Sequence, residues 1–396
     1  MRVRALKALV TGIHAWNSPV QVGSHALARG LAERGWQVAY VSAPLTPFHW
    51  LLRHRADIPE RWAWHRRGVQ QDAGSGVWHY VPFGLIAPDH RPGLNARWVF
   101  EHWHRFSLPN VAKALSAKGF GDVDLLVLNS HFQPFWLDAV THRRSVYRLA
   151  DLTSGFPGCG ASAQAVEAEI VRRVDLVVTA AHGLTEAAAG MGARSVMAMP
   201  NGIRSRSFED TGAPLPLEYR SWSGPIAVYV GAFGPWIDQA LIRSCAISRP
   251  DVNFVLIGPR EGVGAPLHDM PNVHLLGAMP REQLVPYLRH AHVGLMPFDR
   301  VACPDLVDHV HPLKLYEYLA CGLPVISTEW AELGLFPHPA TVCATEAQFI
   351  DALPVKAMLA PGAAERERFA RAADWEFRIS GLIDRLDLPR TGAESP

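Results

Sequence analysis

The sequence has few cysteines, and no pattern that would pair them. The five are Cys159, Cys245, Cys303, Cys321 and Cys343, an odd number at wide spacing with no C-x-x-C pair. This spacing argues against a disulfide framework and against a zinc site built from thiolates, and it favours a reducing compartment. We therefore expect a cytoplasmic protein.

Long apolar runs and an excess of one charge are also missing. No segment approaches the ~20 apolar residues that a membrane-spanning helix needs, and the apolar run before His14 is too short for a signal peptide. The net charge is +1 with histidine counted as neutral, so no global field favours nucleic acid as a partner. With 396 residues, 48% of them hydrophobic, the chain is expected to be globular and to form two domains.

Two common ligand-binding patterns are absent as well. No G-x-G-x-x-G follows the first predicted strand, where TGIHAW has one glycine, so a dinucleotide oxidoreductase is disfavoured. The pairs His102/His104 and His309/His311 have the spacing of metal ligands, but neither has a D-x-D partner nearby. We expect neither a metal nor another cofactor.

The chain does contain a regular alternation of short apolar runs and segments of helical period. Residues 5–44 predict a β-α-β unit, and a second series of strands begins at PIAVYVGAF after a polar stretch near residues 202–222. Runs that are apolar throughout are typical of parallel sheets covered on both faces. We predict an α/β protein with two doubly wound Rossmann-like domains, residues 1–205 and 206–372, and ligands in a deep cleft between them. Residues 373–396 are predicted to form a helix and tail that pack toward the N-terminal domain.

The segment HPLKLYEYLACGLPVIST, residues 311–328, has an unusual combination of charged and apolar residues. Pro312 and Gly322 mark the start and end of a predicted helix. One face of this helix, at spacings of three and four, carries His311, Lys314 and Glu317 or Tyr318. A helix start attracts anions, Lys314 adds a cation for a phosphate, and Glu317 adds an acceptor for sugar hydroxyls. The set suits a nucleotide diphosphate; the alternative is an ordinary Lys–Glu pair on a solvated face.

This segment resembles the donor-site motif of GT-B glycosyltransferases, P-x-K-x-x-E-x-x-A-x-G-x-P-V. MPNGI resembles the hinge-side loop of that superfamily, and VYVGAF, WIDQALI and FVLIGP resemble the opening of its nucleotide-binding domain. NVHLLGAMPREQLVPYLRHAHVGLMPF resembles the strand–helix–strand before the donor motif. The resemblance covers most of the chain. Four motifs in the expected order are a stronger signal than one short motif. It implies the GT-B fold and an enzyme similar to bacterial surface-polysaccharide and exopolysaccharide glycosyltransferases, among them a membrane-associated glucuronosyltransferase.

The resemblance implies roles for three donor-site residues. Glu317 would bind the donor ribose, Lys314 would bind the pyrophosphate or the sugar, and Gly231 would let the diphosphate approach the backbone. A tight strand-to-helix turn explains Gly231 equally well. By the habit of the family the donor is expected to be a UDP-sugar.

The motif departs from the family in one respect. Many retaining members carry an E-x7-E pair, but the position eight residues before Glu317 is His309. His311 or Asp308 would have to replace part of the missing glutamate. Both inversion and retention therefore stay open, with inversion favoured.

An inverting transfer needs a carboxylate or histidine that takes the proton of the acceptor hydroxyl. SVYRLADLTSGFPG places Asp151 at the carboxyl end of a predicted strand and resembles the Y-x-x-x-D segment of bacterial GT-B enzymes, in which the aspartate is the proposed base. His14 is the rival, since a histidine in the first βα loop is a known GT-B base. Asp151 would otherwise form a helix cap or an Asx turn, and His14 would position other groups. Asn17 and His25 are weaker candidates.

Two N-terminal segments, PFHWLLRHRADIPERWAWHRRG and ARWVFEHWHRFSLPNVAKAL, are dense in Trp, Phe, Arg and His. A basic, aromatic surface binds anionic lipid headgroups. Such a surface would suit a lipid-linked acceptor and a peripheral position on the inner face of a membrane. The alternative is ordinary helices with buried aromatic rings and solvated arginines.

The sequence thus predicts a metal-independent transferase that moves a hexosyl or glycuronosyl group from a nucleotide-diphosphate sugar to a sugar or lipid-linked acceptor. Two alternatives stay open. A nucleotide-sugar 2-epimerase on the same architecture would need several acid–base groups around the sugar and no acceptor surface. A non-catalytic partner subunit would keep the fold, although the intact pair of Lys314 and Glu317 speaks against it.

Overall fold

The computed structural model describes residues 4–18, 21–51, 57–89, 91, 93–153, 160–209, 212–354 and 362–389. The chain divides into two units. Unit 1 is Met1–Pro200 with Arg378–Pro396, and unit 2 is Asn201–Phe377. The boundaries predicted from the sequence lie at 205/206 and 372/373. The predicted α/β class is confirmed, since each unit is built around one largely parallel sheet.

Unit 1 contains an eight-stranded sheet. Its strands are β1 Lys7–Thr11, β2 Gln37–Val41, β3 Gln70–Gln71, β4 Trp78–Tyr80, β5 Asp122–Leu128, β6 Thr141–Leu149, β7 Leu176–Thr179 and β8 Val196–Ala198. They lie in the order β3-β4-β2-β1-β5-β6-β7-β8, and only β3 runs antiparallel to its neighbour. The order reverses direction at β1, so the carboxyl ends of β1 and β5 form a topological switch point, where open α/β sheets bind ligands.

The helices of unit 1 cover both faces of this sheet. They are α1 Gly23–Glu33, α2 Pro47–Leu51, α3 Asp57–Arg67, α4 Arg97–His102, α5 Val111–Leu115, α6 Trp136–Ala139, α7 Ala161–Arg173 and α8 Leu184–Gly190. The main core packs Trp103 and Trp136 against the apolar side chains of β5, β6 and α7. Both rings are fully buried, so these aromatic residues of the Trp-rich N-terminal half are structural.

Unit 2 contains a six-stranded parallel sheet in the order β11-β10-β9-β12-β13-β14. Its strands are β9 Ile226–Val230, β10 Asn253–Ile257, β11 Val273–Gly277, β12 Val293–Met296, β13 Val325–Thr328 and β14 Thr341–Cys343. The helices that follow are α9 Gln239–Ser248, α10 Ala265–His268, α11 Arg281–Arg289, α12 Pro304–Val307, α13 Leu313–Ala320, α14 Glu346–Asp351, α15 Ala363–Ala372 and α16 Trp375–Arg385. The division at 377/378 falls inside α16.

The long apolar runs of the sequence all form strands, but three short strands lack such a run. β3, β4 and β14 have two or three residues each, so they show neither alternation nor an apolar stretch that would predict them. Within the described residues, no helix combines the length and apolar character needed to cross a membrane.

Candidate functional site

Lys314 lies across the backbone of Gly231 in unit 2. Lys314 stands in the first turn of α13, and Gly231 directly follows β9 with φ at +148°. A Cβ placed on Gly231 would lie 2.6 Å from Cε and 2.9 Å from Nζ of Lys314. A side chain at position 231 would displace the end of the lysine, and an L residue rarely adopts this φ, so glycine suits the position. The predicted approach of a diphosphate to the backbone of Gly231 stays a prediction, and the neighbour that the structure shows there is Lys314.

The ammonium of Lys314 lies in a low-polarity environment. Its Nζ is 5.6 Å from the ring centroid of Tyr229 and 5.8 Å from that of Phe298, within the range of a cation–π contact. Part of the side chain reaches solvent, yet burial of the ammonium lowers the pKa of Lys314 to about 8. Among the described residues it has neither a hydrogen bond nor an ion pair. An anionic ligand would supply the missing negative charge.

The predicted helix from Pro312 to Cys321 forms as α13, with Pro312 preceding it and Cys321 at its C-cap. Gly322 follows with φ at +72° and donates from its amide to the carbonyl of Leu319 at 2.9 Å, which ends the helix in the left-handed conformation that glycine favours. Glu317 is half-buried and lies one turn after Lys314, on the same face of α13.

Tyr318 is not a donor contact, contrary to the prediction. Its side chain is fully buried, its hydroxyl accepts a hydrogen bond from the amide of Val230 at 2.9 Å, and its ring packs where a Cβ on Gly294 would be. The sequence spacing predicts that Tyr318 shares the helix face of Lys314. In the structure the Tyr318 side chain packs α13 against β9 and β12.

His311 is also buried, with both ring nitrogens bonded inside unit 2. Nδ1 lies 2.8 Å from Oε1 of Glu332, and Nε2 lies 2.9 Å from the hydroxyl of Tyr316. The predicted direct contact of His311 with the donor does not fit this geometry; the imidazole positions the start of α13 instead. Asp308, the other residue considered in place of the missing glutamate, accepts from the amide of Ala331 at 2.9 Å and forms an ion pair with Arg300.

Asp151 lies beyond the carboxyl end of β6 in unit 1. The residue is exposed, yet partial burial of its carboxyl raises the pKa of Asp151 above that of an ordinary aspartate, while the Arg148 guanidinium opposes this rise. Arg148 is buried at 4% exposure, and burial lowers its pKa to about 10. A carboxylate with a raised pKa suits the role of a general base.

His14 follows β1 and lines a separate pocket of about 210 Å³. Other lining residues include Asp57, Glu60, Arg61 and Trp64 of α3. Burial and the Arg61 guanidinium lower the pKa of His14, and Asp57 acts in the opposite sense, so the imidazole is neutral at pH 7. Because only β5 separates β1 from β6, the strands that carry His14 and Asp151 lie about 10 Å apart.

His25, the weaker candidate, is buried and structural. Its Nδ1 accepts from the amide of Val22 at 3.2 Å, and its Nε2 lies 3.0 Å from the carbonyl of Ala15. Burial lowers its pKa to about 4. The neutral ring therefore fixes the loop after β1, which carries His14 and the half-buried Asn17.

Three polar residues near these sites were missed in the sequence. Glu167 lies on the buried stripe of α7, and Arg148 lies in the apolar run of β6. The apolar pattern of α7 and β6 marks these positions as core positions, and a charged residue there is unusual enough to have been noticed in the sequence. Glu332 follows β13 in a short turn, where no periodic pattern marks it as buried.

Comparison with protein families divides the chain in the same order as the fold. Residues 9–180 match the family "Glucuronosyltransferase GumK, N-terminal domain". Residues 224–352 match the family "Glycosyl transferases group 1". Asp151 and His14 lie in the first match, and Gly231, Lys314 and Glu317 lie in the second.

Among curated proteins, the chain is 26% identical over 173 residues to TuaH of Bacillus subtilis (strain 168), which is named as a glycosyltransferase of teichuronic acid biosynthesis. The match spans 42% of this chain and 43% of that protein, less than half of its length.

Solved glycosyltransferases share the fold over nearly the whole chain. Sucrose-phosphate synthase from Thermosynechococcus elongatus is 18% identical with a TM-score of 0.63, covering 96% of this chain and 98% of that one. HepE of Anabaena in complex with UDP is 14% identical with a TM-score of 0.65, covering 96% and 100%. The two matches follow the order of the two units, with the GumK-type N-terminal domain first and the group 1 glycosyltransferase domain second. The fold is that of the GT-B glycosyltransferases, and the chain is similar to bacterial polysaccharide glycosyltransferases.

Proposed function

We propose that this chain transfers a hexosyl or glycuronosyl group from a UDP-sugar to an acceptor hydroxyl in the synthesis of a bacterial surface polysaccharide. The observation that carries the proposal is the ammonium of Lys314, which lies against Gly231 with no anionic partner among the described residues. A diphosphate satisfies this charge, and Glu317 one turn away accepts hydrogen bonds from the ribose hydroxyls. The UDP complex of the similar HepE protein supports uracil as the base.

In the proposed reaction, the carboxylate of Asp151 takes the proton of the acceptor hydroxyl. The oxygen attacks the anomeric carbon, the bond from that carbon to the diphosphate oxygen breaks, and the nucleotide diphosphate leaves with the electron pair. Lys314 and the amides at the start of α13 stabilise the negative charge of the leaving group, which is the work a metal ion would otherwise do. We thus propose an inverting, metal-independent transfer.

The proposed acceptor is lipid-linked, and the proposed location is the inner face of a membrane. Exposed large apolar side chains of unit 1 include four between residues 85 and 108 that are 38–53% exposed. We call these four, Leu85, Trp98, Phe106 and Leu108, the apolar patch. The amide of Leu85 donates to the carbonyl of Phe106 at 3.0 Å, and the rings of Trp98 and Phe106 are 6.5 Å apart. Leu85, Trp98 and Phe106 therefore adjoin one another, and Leu108 follows Phe106 by two residues. The exposed Arg105 is next to Phe106 in sequence and adds a cation for anionic headgroups.

Thermal melting with a panel of nucleotide diphosphates and nucleotide sugars tests the donor site. We expect UDP or a UDP-sugar to raise the melting temperature of the wild type, since a ligand at about 100 times its Kd adds roughly 2.7 kcal/mol of stability. Lys314→Met and Glu317→Ala should lose most of this rise, whereas Glu365→Ala, an exposed carboxylate change on α15, should keep it.

If no nucleotide stabilises the wild type, the donor site is refuted and the partner-subunit hypothesis takes its place. If a nucleotide sugar binds and is converted to its epimer without any acceptor, the protein is an epimerase. Transfer to an added acceptor, with release of UDP, supports the proposed function.

A further inference from the structure

Glu167 is a carboxylate in the core of unit 1. It is 4% exposed and lies on the buried stripe of α7 with Val166 and Ile170. Among the residues that the structure describes, no basic side chain forms an ion pair with it. Burial raises the pKa of Glu167, and a buried carboxylate without a cation costs several kcal/mol unless hydrogen bonds compensate.

The compensating hydrogen bonds form a chain of four side chains. Tyr147 Oη donates to Oε1 of Glu167 at 2.6 Å, and Thr153 Oγ1 donates to the same oxygen at 2.7 Å. Thr153 Oγ1 also lies 3.3 Å from Nδ1 of His131. His131 and Thr153 are 8% and 5% exposed, so most of this hydrogen-bond network is shielded from water.

This hydrogen-bond network joins two loops at one edge of the sheet. His131 belongs to the loop after β5, Thr153 to the loop after β6, and Tyr147 to β6 itself. Asp151 lies two residues before Thr153. The segment that carries Asp151 is therefore held on one side by β6, which ends at Leu149, and on the other by the bond from Thr153 to Glu167. The backbone amide of Thr153 also donates to the carboxylate of Glu167. The buried carboxylate therefore restrains the backbone that presents Asp151 through two groups of Thr153, the hydroxyl and the amide.

We propose that Glu167 is a positioning residue that fixes the carboxylate of Asp151 for proton transfer, acting through the hydroxyl of Thr153. This inference rests on the proposed role of Asp151 as the base. An apolar residue at position 167 would fill the stripe of α7 without the cost of a buried charge. A glutamate there departs from ordinary core composition, and departures of this kind are typical of functional sites. Thr153 is the residue to change, because its hydroxyl carries the side-chain part of the restraint, and removing this hydroxyl leaves Glu167 bonded to Tyr147 and to the Thr153 amide.

Hydrogen–deuterium exchange tests the restraint without any need for activity. Backbone amides of residues 149–153 should exchange faster in Thr153→Val than in the wild type, because the loop loses the hydroxyl bond to Glu167 and is held to α7 by the Thr153 amide alone. Thr153→Ser keeps the hydroxyl and should exchange like the wild type. Glu167→Gln is a second variant, whose amide replaces one acceptor oxygen and should give an intermediate rate. Equal exchange in all four proteins would overturn the inference.

Steady-state kinetics then test what the restraint does. We expect Thr153→Val to lower kcat by about 100-fold with the KM of the donor unchanged, since a misplacement of about 1 Å costs this much, and Thr153→Ser to restore the rate. On an Asp151→Asn background, Thr153→Val should have no further effect. If Asp151→Asn is inactive while Thr153→Val matches the wild type, the positioning role is wrong and the proposed function stands. If Asp151→Asn matches the wild type, the proposed base is wrong, and the exchange data alone decide whether Glu167 restrains the loop.

Discussion

At the scale of single residues, the proposed chemistry depends on Asp151 being ionised and Lys314 being protonated. Burial raises the pKa of Asp151 and lowers that of Lys314 to about 8. As the pH falls through the raised pKa of Asp151, the base is lost and kcat declines. As the pH rises through about 8, the cation is lost and donor binding weakens. The two shifts thus narrow the pH range of activity from both sides.

We predict that Arg148→Met moves the acidic limb of the pH profile of kcat/KM to higher pH. The guanidinium of Arg148 opposes the rise in the pKa of Asp151, so removing it raises that pKa further. Arg148→Lys keeps the positive charge and should leave the limb near its wild-type position. An acidic limb that does not move in Arg148→Met, in a variant whose melting temperature shows that it is folded, would contradict the assignment of Asp151 as the base.

The residue scale also shows where sequence reasoning stops. Spacing placed Lys314 and Glu317 on one face of a helix, and the structure agrees, because that relation is local. The same spacing predicted that Tyr318 and His311 contact the donor, but both side chains are buried. Helical periodicity does not say which neighbours cover a side chain. The contact of Lys314 with Gly231 joins residues 83 positions apart, and only the packing of α13 on β9 produces it.

At the scale of elements, α13 is the best-predicted part of the candidate site. Pro312 and Gly322 act through the backbone itself: proline lacks a donor, and glycine adopts positive φ at no steric cost. The buried Glu167 on α7 shows the opposite case. Its position on the apolar stripe is visible in the sequence, but its partners Tyr147 and Thr153 come from β6 and its loop.

We predict that Gly322→Ala destabilises unit 2 by about 1–2 kcal/mol, because a Cβ is strained at φ +72°. It would also lie 2.9 Å from Cβ of Ala363 on α15. Gly334→Ala is the matched control, since nothing lies within 4 Å of its Cβ position and its φ is not positive. The midpoint of urea unfolding, followed by circular dichroism, should fall for Gly322→Ala only. Equal midpoints would show that the end of α13 tolerates a side chain.

At the scale of the whole molecule, the sequence predicted the class of both units because continuous apolar runs mark parallel strands regardless of their order. It did not predict the strand order, which depends on contacts between distant residues. Net charge also bears on the membrane-binding hypothesis. At +1, the chain has no global attraction to an anionic surface, so any membrane binding must come from a local patch.

The last prediction concerns that binding. We expect the protein to sediment with vesicles that contain phosphatidylglycerol and much less with vesicles of phosphatidylcholine alone, since the apolar patch inserts and Arg105 meets the headgroups. The double variant Trp98→Ser/Phe106→Ser should stay in the supernatant, because it removes two adjoining rings that are 48% and 38% exposed. Leu217→Ser removes an apolar side chain of unit 2 that is 74% exposed and should bind like the wild type. High salt should weaken binding by screening the arginine but leave the apolar contribution. If the double variant and the wild type sediment alike, the apolar patch is not the membrane surface, and a lipid-linked acceptor would have to reach the enzyme by another face of unit 1.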